Sequence, residues 1–161
     1  MKGGPMNTDT WFAVQALLAE VAAVLDQRDL QRWPGFFTED GRYTLQSREN
    51  FDRGLPLATM ALESRGMLKD RVHGALDTLF HDPYHQRHIL GAPRLLSDDA
   101  DGIRCESSYL VVRTKRDGLP EILSVGRYLD HLVRTPDGLK IAERHAIFDN
   151  DLIPNSIIDP I

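Results

Sequence analysis

The chain has 161 residues, of which 42% are hydrophobic and 27% charged, proportions typical of one soluble globular domain. The formal net charge is −5 and no basic stripe runs along the sequence, which argues against a nucleic-acid partner. Its single cysteine, Cys105, excludes an internal disulfide, a cysteine-rich zinc site and an iron–sulfur cluster held by this chain alone. Cys105 lies in an alternating strand pattern and is predicted to be a small core residue.

No repeat, low-complexity tract or linker divides the sequence. Residues 1–161 are therefore predicted to form a single domain, with a flexible N-terminus over 1–7 and a C-terminal tail over 151–161. The apolar runs are predicted to be too short and too interrupted to span a bilayer. No apolar segment of the signal-peptide type follows the first residues, so a cytoplasmic location is expected.

The chain opens with helical periodicity. Residues 8–27 carry apolar side chains at steps of three and four, which predicts one amphipathic helix with an N-cap among residues 7–9. A short second helix is expected over 30–37, where Pro34 must lie in the first turn or break it.

The middle of the chain predicts a turn over 38–41 and a strand over 42–48. Residues 57–62 fit a strand or a helix, and this choice stays open. Residues 66–79 again step by threes and fours, which predicts another helix.

The last part of the chain predicts a meander of long antiparallel strands. Asp-Gly and Pro-Asp-Gly supply the tight turns between four alternating runs, over 86–97, 103–115, 121–134 and 139–149. Because helices precede the strands, the expected fold class is α+β, with N-terminal helices packed on a strongly curved antiparallel sheet.

A histidine-rich segment follows the third predicted helix. Two histidines and a carboxylate can form a facial iron site, and His81 and His85 are four residues apart. On a helix both imidazoles would lie on one face, but Pro83 between them removes that helix. The segment is interpreted as a helix end followed by a strand, with surface histidines favoured over a metal site.

A second hypothesis is an acid/base residue in a pocket, since domains with this order of elements often move a proton with one Asp, His or Tyr. Several strand residues are candidates to point inward: Tyr43, Tyr128, Asp130, His131 and His145. The strand over 121–134 is apolar on both faces, however, which predicts helices on one side and a partner subunit on the other.

Arginines recur along adjacent predicted strands, at Arg87, Arg104, Arg113, Arg127 and Arg144. Cross-strand ion pairs are one interpretation, with carboxylates at Glu106, Asp130, Glu143 or Asp149. Anchoring of a protein interface, where arginine is enriched, is the other.

Four segments carry a resemblance to known proteins. Phe-Phe-Thr-Glu-Asp-Gly-Arg-Tyr at 36–43 resembles the helix-to-strand signature of the NTF2-like (SnoaL-like) superfamily. Arg87-His88, 126–134 and 137–144 are similar to the small (β) subunit of aromatic-ring-hydroxylating dioxygenases, the Rieske non-haem iron oxygenases. The resemblance covers roughly residues 8–150. It is nearest to the branch acting on hydroxylated or aminated benzoates, such as salicylate hydroxylase and anthranilate dioxygenase.

The resemblance implies an NTF2-like (cystatin-like) cone and a structural subunit with no catalytic residue, cofactor or metal of its own. It further implies a large α subunit that holds a Rieske [2Fe–2S] cluster and mononuclear Fe(II), receives electrons from a ferredoxin or reductase, and assembles as an α3β3 hexamer. On this interpretation the candidate interface or structural polar residues are Arg87, His88, Arg127, Asp130 and Arg144.

Two other functions stay open. One is a free-standing NTF2-like isomerase, dehydratase or cyclase with a pocket acid/base. The other is a ligand-binding or oligomerisation module without chemistry. A deep polar cavity with a perturbed carboxylate or imidazole would favour the enzyme.

Overall fold

The helices lie in the first half of the chain. A computed structural model describes residues 7–153 and 156–161; residues 1–6 of the predicted flexible N-terminus and 154–155 of the predicted tail lie outside the described residues. The helices are α1 (Thr8–Asp26), a 3-10 helix (Leu30–Phe36), α2 (Arg48–Asp52) and α3 (Arg65–His73), which continues into a π turn (Gly74–Thr78).

Helix α1 confirms the predicted amphipathic helix. The side chain of Asn7 caps its first turn, and its apolar stripe is buried at Val14, Leu18, Val21, Val24 and Leu25. By length and composition alone, the 19 residues of α1 would suffice to cross a membrane, contrary to the expectation that every apolar run is too short. Its stripe packs into the protein core, as expected for a core helix of a globular domain.

Within the part of the chain that the structure describes, seven strands form one sheet. They are β1 (Phe37–Ser47), β2 (Met60–Leu62), β3 (Tyr84–Leu90), β4 (Arg94–Asp99), β5 (Gly102–Lys115), β6 (Glu121–Thr135) and β7 (Gly138–Phe148). The order is β2-β1-β7-β6-β5-β3, with β4 also paired to β5. Strands β5, β6 and β7 form the predicted antiparallel meander. The α+β class is thus confirmed.

Strand β1 departs from the prediction in direction and length. It pairs in parallel with β7, so the sheet is mixed and not purely antiparallel. It also begins at Phe37, because the predicted turn over 38–41 is an irregular stretch of strand with a shift in register. Gly41 permits this close folding, since a Cβ there would lie 2.8 Å from the Cβ of Phe37.

The predicted strand over 86–97 is two strands, β3 and β4, which pair with different halves of β5. The break falls at 91–93, where Pro93 has no N–H for the ladder. The ambiguous segment over 57–62 contributes only the short strand β2. Helix α2 is not predicted from the sequence; it starts where the Ser47 hydroxyl accepts the N–H of Asn50.

The sheet has a buried inner face and a partly exposed outer face, because successive side chains of a strand alternate. In β6 the buried, inner-face residues are Ser124, Gly126, Tyr128, Asp130 and Leu132. The half-buried, outer-face residues are Val125, Arg127, Leu129, His131 and Val133. Helices α1 and α3 and the 3-10 helix contribute to the core that covers the inner face.

Gly126 provides a test of the packing between β6 and β7. A Cβ at this position would lie 1.9 Å from the carbonyl oxygen of Ile147, a backbone atom that cannot move aside without disturbing the ladder. We expect Gly126→Ala to lower the free energy of unfolding by about 3 kcal/mol, measured by urea denaturation. Gly35→Ala, where no neighbour lies within 4 Å, is the control; equal losses in both variants would contradict this packing.

Candidate functional site

A buried ion pair lies at the centre of the inner face. Asp130 of β6 and Arg144 of β7 are cross-strand neighbours, and two hydrogen bonds of 2.8 and 2.9 Å join the guanidinium to the carboxylate. The side chains are 0% and 3% exposed. Burial acts to lower the pKa of Arg144, but the charge and hydrogen bonds of Asp130 outweigh it, so the pKa is raised. Arg144 therefore stays charged and Asp130 is held as its partner.

Three tyrosines surround this pair. Tyr128 stacks on Tyr109 with 4.4 Å between ring centroids, and the Arg144 guanidinium lies 4.3 Å from the Tyr128 centroid. Burial raises the pKa of Tyr43 to about 12 and also raises the pKa of Tyr109 and Tyr128. At neutral pH all three phenols are protonated, so none serves as a general base.

A second buried pair joins α1 to the edge strand β3. The Asp26 carboxylate accepts the backbone N–H of His88 at 3.0 Å and lies 2.6 Å from its Nδ1. The His88 side chain is 1% exposed, and its Nε2 has no hydrogen-bond partner among the described residues. By occupying an N–H of β3, Asp26 also covers the sheet edge.

The role of Asp26 is not predicted from the sequence. An acidic residue at a helix C-terminus opposes the helix dipole, and α1 has no basic residue in its last turn. That unfavourable placement is the one signal that could have indicated a tertiary partner for Asp26.

The C-terminal tail fills the space beside Tyr43, which the sequence analysis also missed. Ile161 is fully buried. Its backbone oxygen accepts a hydrogen bond from the Tyr43 hydroxyl at 2.7 Å, and its N–H donates to the hydroxyl oxygen of Tyr43 at 3.2 Å. The tail has no periodic pattern; only its isoleucines signal that it is buried. The inner-face polar groups are therefore covered by the chain itself.

Two acid/base candidates lie on the outer face, contrary to the expectation that they can point inward. His131 and His145 are sequence neighbours of Asp130 and Arg144, so strand alternation turns them to the opposite side. With Leu96 and Leu129 they line a shallow pocket of about 260 Å³.

His145 is the polar centre of this outer pocket. Its Nε2 lies 2.9 Å from Oε1 of Gln46, and the ring of Phe51 packs on its edge with 5.0 Å between centroids. Burial lowers the pKa of His145, against a smaller opposing effect of Glu143. His131 is more peripheral, with Nε2 2.8 Å from the Asp101 carbonyl oxygen.

The arginines divide between the two faces. Arg144 is internal, whereas Arg127 lies on the outer face, 3.9 Å from Glu106 and 5.7 Å from the Phe51 centroid. Arg87 is exposed, 3.7 Å from Asp26. The other two strand arginines form ion pairs, Arg113 with Glu121 and Arg104 with Asp101.

The histidine segment does not converge on one point. His81 lies in the loop before β3 and its Nε2 is 3.3 Å from the Arg28 guanidinium, while β3 turns His85 outward and His88 inward. Within residues 7–153 and 156–161, no group of three or more His, Cys, Asp or Glu residues is placed to hold a metal ion. Cys105 is the predicted core residue: it is 1% exposed and burial raises its pKa to about 12.

Comparison with known proteins gives a consistent result. The family model for the ring hydroxylating beta subunit matches residues 20–155. The chain is 33% identical to the anthranilate 1,2-dioxygenase small subunit of Burkholderia cepacia, covering 94% of each chain. It is 29% identical to the terephthalate 1,2-dioxygenase terminal oxygenase component subunit beta 2 of Comamonas sp, over 92% of this chain and 96% of that one.

A solved structure confirms the fold. It is of a protein assigned as the beta subunit of an aromatic-ring-hydroxylating dioxygenase from Novosphingobium aromaticivorans. The TM-score is 0.86 at 31% sequence identity, over 94% of this chain and 97% of that chain. The NTF2-like α+β fold implied by the resemblance, with helices on a curved sheet, is therefore confirmed, and the sheet is mixed.

The buried ion pair gives a prediction on stability. Asp130→Asn or Arg144→Met alone leaves one charge buried without its partner, and we expect each to lower the free energy of unfolding by about 3–5 kcal/mol. The double variant removes both charges and should lose far less than the sum of the two. Urea denaturation of the four proteins measures the coupling; strictly additive losses would show that the charges do not depend on each other.

His145 gives a prediction on pH. Because its pKa is lowered in the folded state, the unfolded chain binds a proton more readily below the ordinary value of 6.5. The stability associated with neutral His145 is complete above pH 6.5 and is lost as the pH falls through the lowered pKa. The stability advantage of the wild type over His145→Gln should be constant above about pH 7.5 and narrow below 6.5. An advantage that stays constant down to pH 5 would contradict the burial of this imidazole.

Proposed function

The chain belongs to the ring hydroxylating beta subunit family, and we propose that it is the structural, non-catalytic β subunit of a dioxygenase terminal oxygenase component. One observation carries the non-catalytic part of this proposal: the strongest acid/base candidates of the interior are already used to hold the fold. Asp130 is neutralised by Arg144, and Tyr43 binds the buried tail. Neither group is free to exchange a proton with a substrate.

The proposed substrate class of the whole oxygenase is an aromatic acid. Two relatives are named for anthranilate and terephthalate, and both compounds are aromatic carboxylates. The chemistry at the substrate would take place on the partner chain, since the inner face of this chain is closed by its own tail.

The proposed partner is the large α subunit, in an α3β3 hexamer located in the cytoplasm. The α subunit would hold the Rieske cluster and the mononuclear iron, and a ferredoxin or reductase would deliver electrons to it. A small subunit of a dioxygenase implies a large one, and the outer face of this sheet supports a contact with a neighbouring subunit.

The outer face is suited to a protein contact because two apolar rows cross it. One row is Ile89, Leu110 and Val125, and the other includes Val112 and Ile122. Ile89 and Ile122 are 54% and 58% exposed. Apolar side chains grouped on one sheet face favour burial against another chain. Among the predicted polar residues, Arg87 and Arg127 lie on this face, whereas His88, Asp130 and Arg144 act within the fold.

The experiment is turnover per assembled complex, after co-expression with a large α subunit of a ring-hydroxylating dioxygenase. Variants Tyr43→Phe, Asp130→Asn, His131→Ala and His145→Ala should change the yield or thermal stability of the hexamer while leaving turnover per iron-loaded hexamer near normal. A proton-transfer enzyme would instead lose about 10²–10⁴-fold in rate when its acid or base is removed. Loss of turnover in an intact hexamer, or isomerase activity of the isolated chain that one variant removes, would reject the structural role.

The same co-expression experiment tests the outer face as the contact surface, with two further variants. Ile89→Ser and Ile122→Ser should weaken hexamer formation without lowering the melting temperature of the isolated chain, because both side chains are already exposed. Leu57→Ser is the matched control, since Leu57 is 72% exposed but lies in the loop before β2. Equal assembly of all three variants would exclude the outer face as the contact surface.

A further inference from the structure

The last residues of the chain are held like a bound peptide. Residues 156–161 contain neither helix nor strand, yet Ile157, Asp159 and Ile161 are 7%, 2% and 0% exposed. A segment this deeply buried usually gains its backbone hydrogen bonds from a helix or a sheet ladder. Here the partners of the backbone are side chains from three different elements, α3, β3 and β1.

Four side chains form the site, and each contacts a different part of the tail. Arg71 of α3 donates to the carbonyls of Ile157 and Ile158, and Gln86 of β3 donates to the carbonyl of Pro160 at 3.3 Å. Tyr43 of β1 both donates to and accepts from the backbone of Ile161. Arg28, just after α1, binds the Asp159 carboxylate through Nε at 3.0 Å and Nη2 at 3.3 Å.

The contact of Arg28 with the tail explains its unusual backbone conformation. Its φ is 56°, in the left-handed region where glycine is the usual residue after a helix. Among the described residues it is the one non-glycine with positive φ. The free energy that the left-handed backbone costs is offset by hydrogen bonds of the arginine side chain. It binds Asp159 and also the Ala75 carbonyl, at 3.1 Å.

Two residues between β7 and the tail are exposed. They are Asp151 and Leu152, and Leu152 is 85% exposed. The tail thus follows an exposed stretch of chain and is held by side chains, as a tethered ligand is.

We propose that Arg28, Tyr43, Arg71 and Gln86 form a peptide-binding site, occupied in this structure by residues 156–161 as a tethered ligand. The site takes an apolar segment with an aspartate two residues before a buried isoleucine. A tether of this length supplies an effective concentration of roughly 1 mM, so a segment with a Kd of about 10 µM fills the site about a hundredfold over empty. The site is independent of oxygenase assembly and is tested on the isolated chain.

The first experiment offers the segment in trans. A chain ending at Ile153 is titrated with the fluorescently labelled peptide Ser-Ile-Ile-Asp-Pro-Ile, and binding is followed by anisotropy. We expect saturable binding with a Kd of about 10–100 µM, at least tenfold weaker binding to the full chain, and about tenfold weaker binding of the peptide with Asn for Asp. A shortened chain that folds by near-ultraviolet circular dichroism and does not bind, or a full chain that binds equally well, would overturn the proposal.

A second experiment keeps the full chain, in case the shortened one fails to fold. A protease site placed at Asp151-Leu152 is cut in the folded protein at about 1 mM, and binding of the cut tail is measured at equilibrium by diffusion NMR. We expect most of the cut tail to diffuse with the domain, and a clearly larger free fraction in Arg28→Gly, which keeps the backbone geometry but removes the contact to Asp159. Arg53→Gly is the control, because Arg53 also follows a helix and its ion pair with Glu49 lies at the surface. A cut wild-type tail that diffuses as a free peptide would overturn the proposal.

Discussion

The pairing of β6 with β7 depends on the buried ion pair between Asp130 and Arg144, and the rest of the inner face is arranged around it. A slip of one residue in either strand would move one charge to the outer face and leave the other buried alone, so the pair specifies the register. Tyr128 covers the guanidinium, and Cys105 of β5 lies opposite Asp130 across the ladder. Asp130 and Arg144 at the polar centre of the sheet therefore hold two strands in register.

Strand alternation gives the two faces of the sheet different surroundings. The inner face receives the helices and the C-terminal tail, and Tyr43, Asp130 and Arg144 find polar partners within the chain. The outer face keeps apolar rows and half-buried polar side chains such as His145. A sheet that is closed on one side by its own chain and apolar on the other is suited to assembly. This agrees with membership of a family of oxygenase β subunits.

Much of the fold follows from local pattern. The stripe of α1 and the Asp-Gly turns between β5, β6 and β7 are short-range signals, and both predictions are confirmed. The errors are long-range. The parallel pairing of β1 with β7 joins segments about a hundred residues apart, and the division of β3 from β4 depends on how both meet β5. The acid/base candidates fall on both faces of the sheet for a related reason. The elements that pack on a sheet decide which of its two alternating faces becomes the inner one.

The sequence by itself determined the composition class, the α+β order of elements, the core role of Cys105 and the family, since these depend on local spacing and on motifs read along the chain. Only the tertiary structure decided that Asp130 pairs with Arg144, that Asp26 holds His88, and that the tail returns to Tyr43. Each of these contacts joins residues far apart in the chain or on different elements. Their free energy comes from burial and from mutual satisfaction of polar groups, which exist only when the elements are packed together.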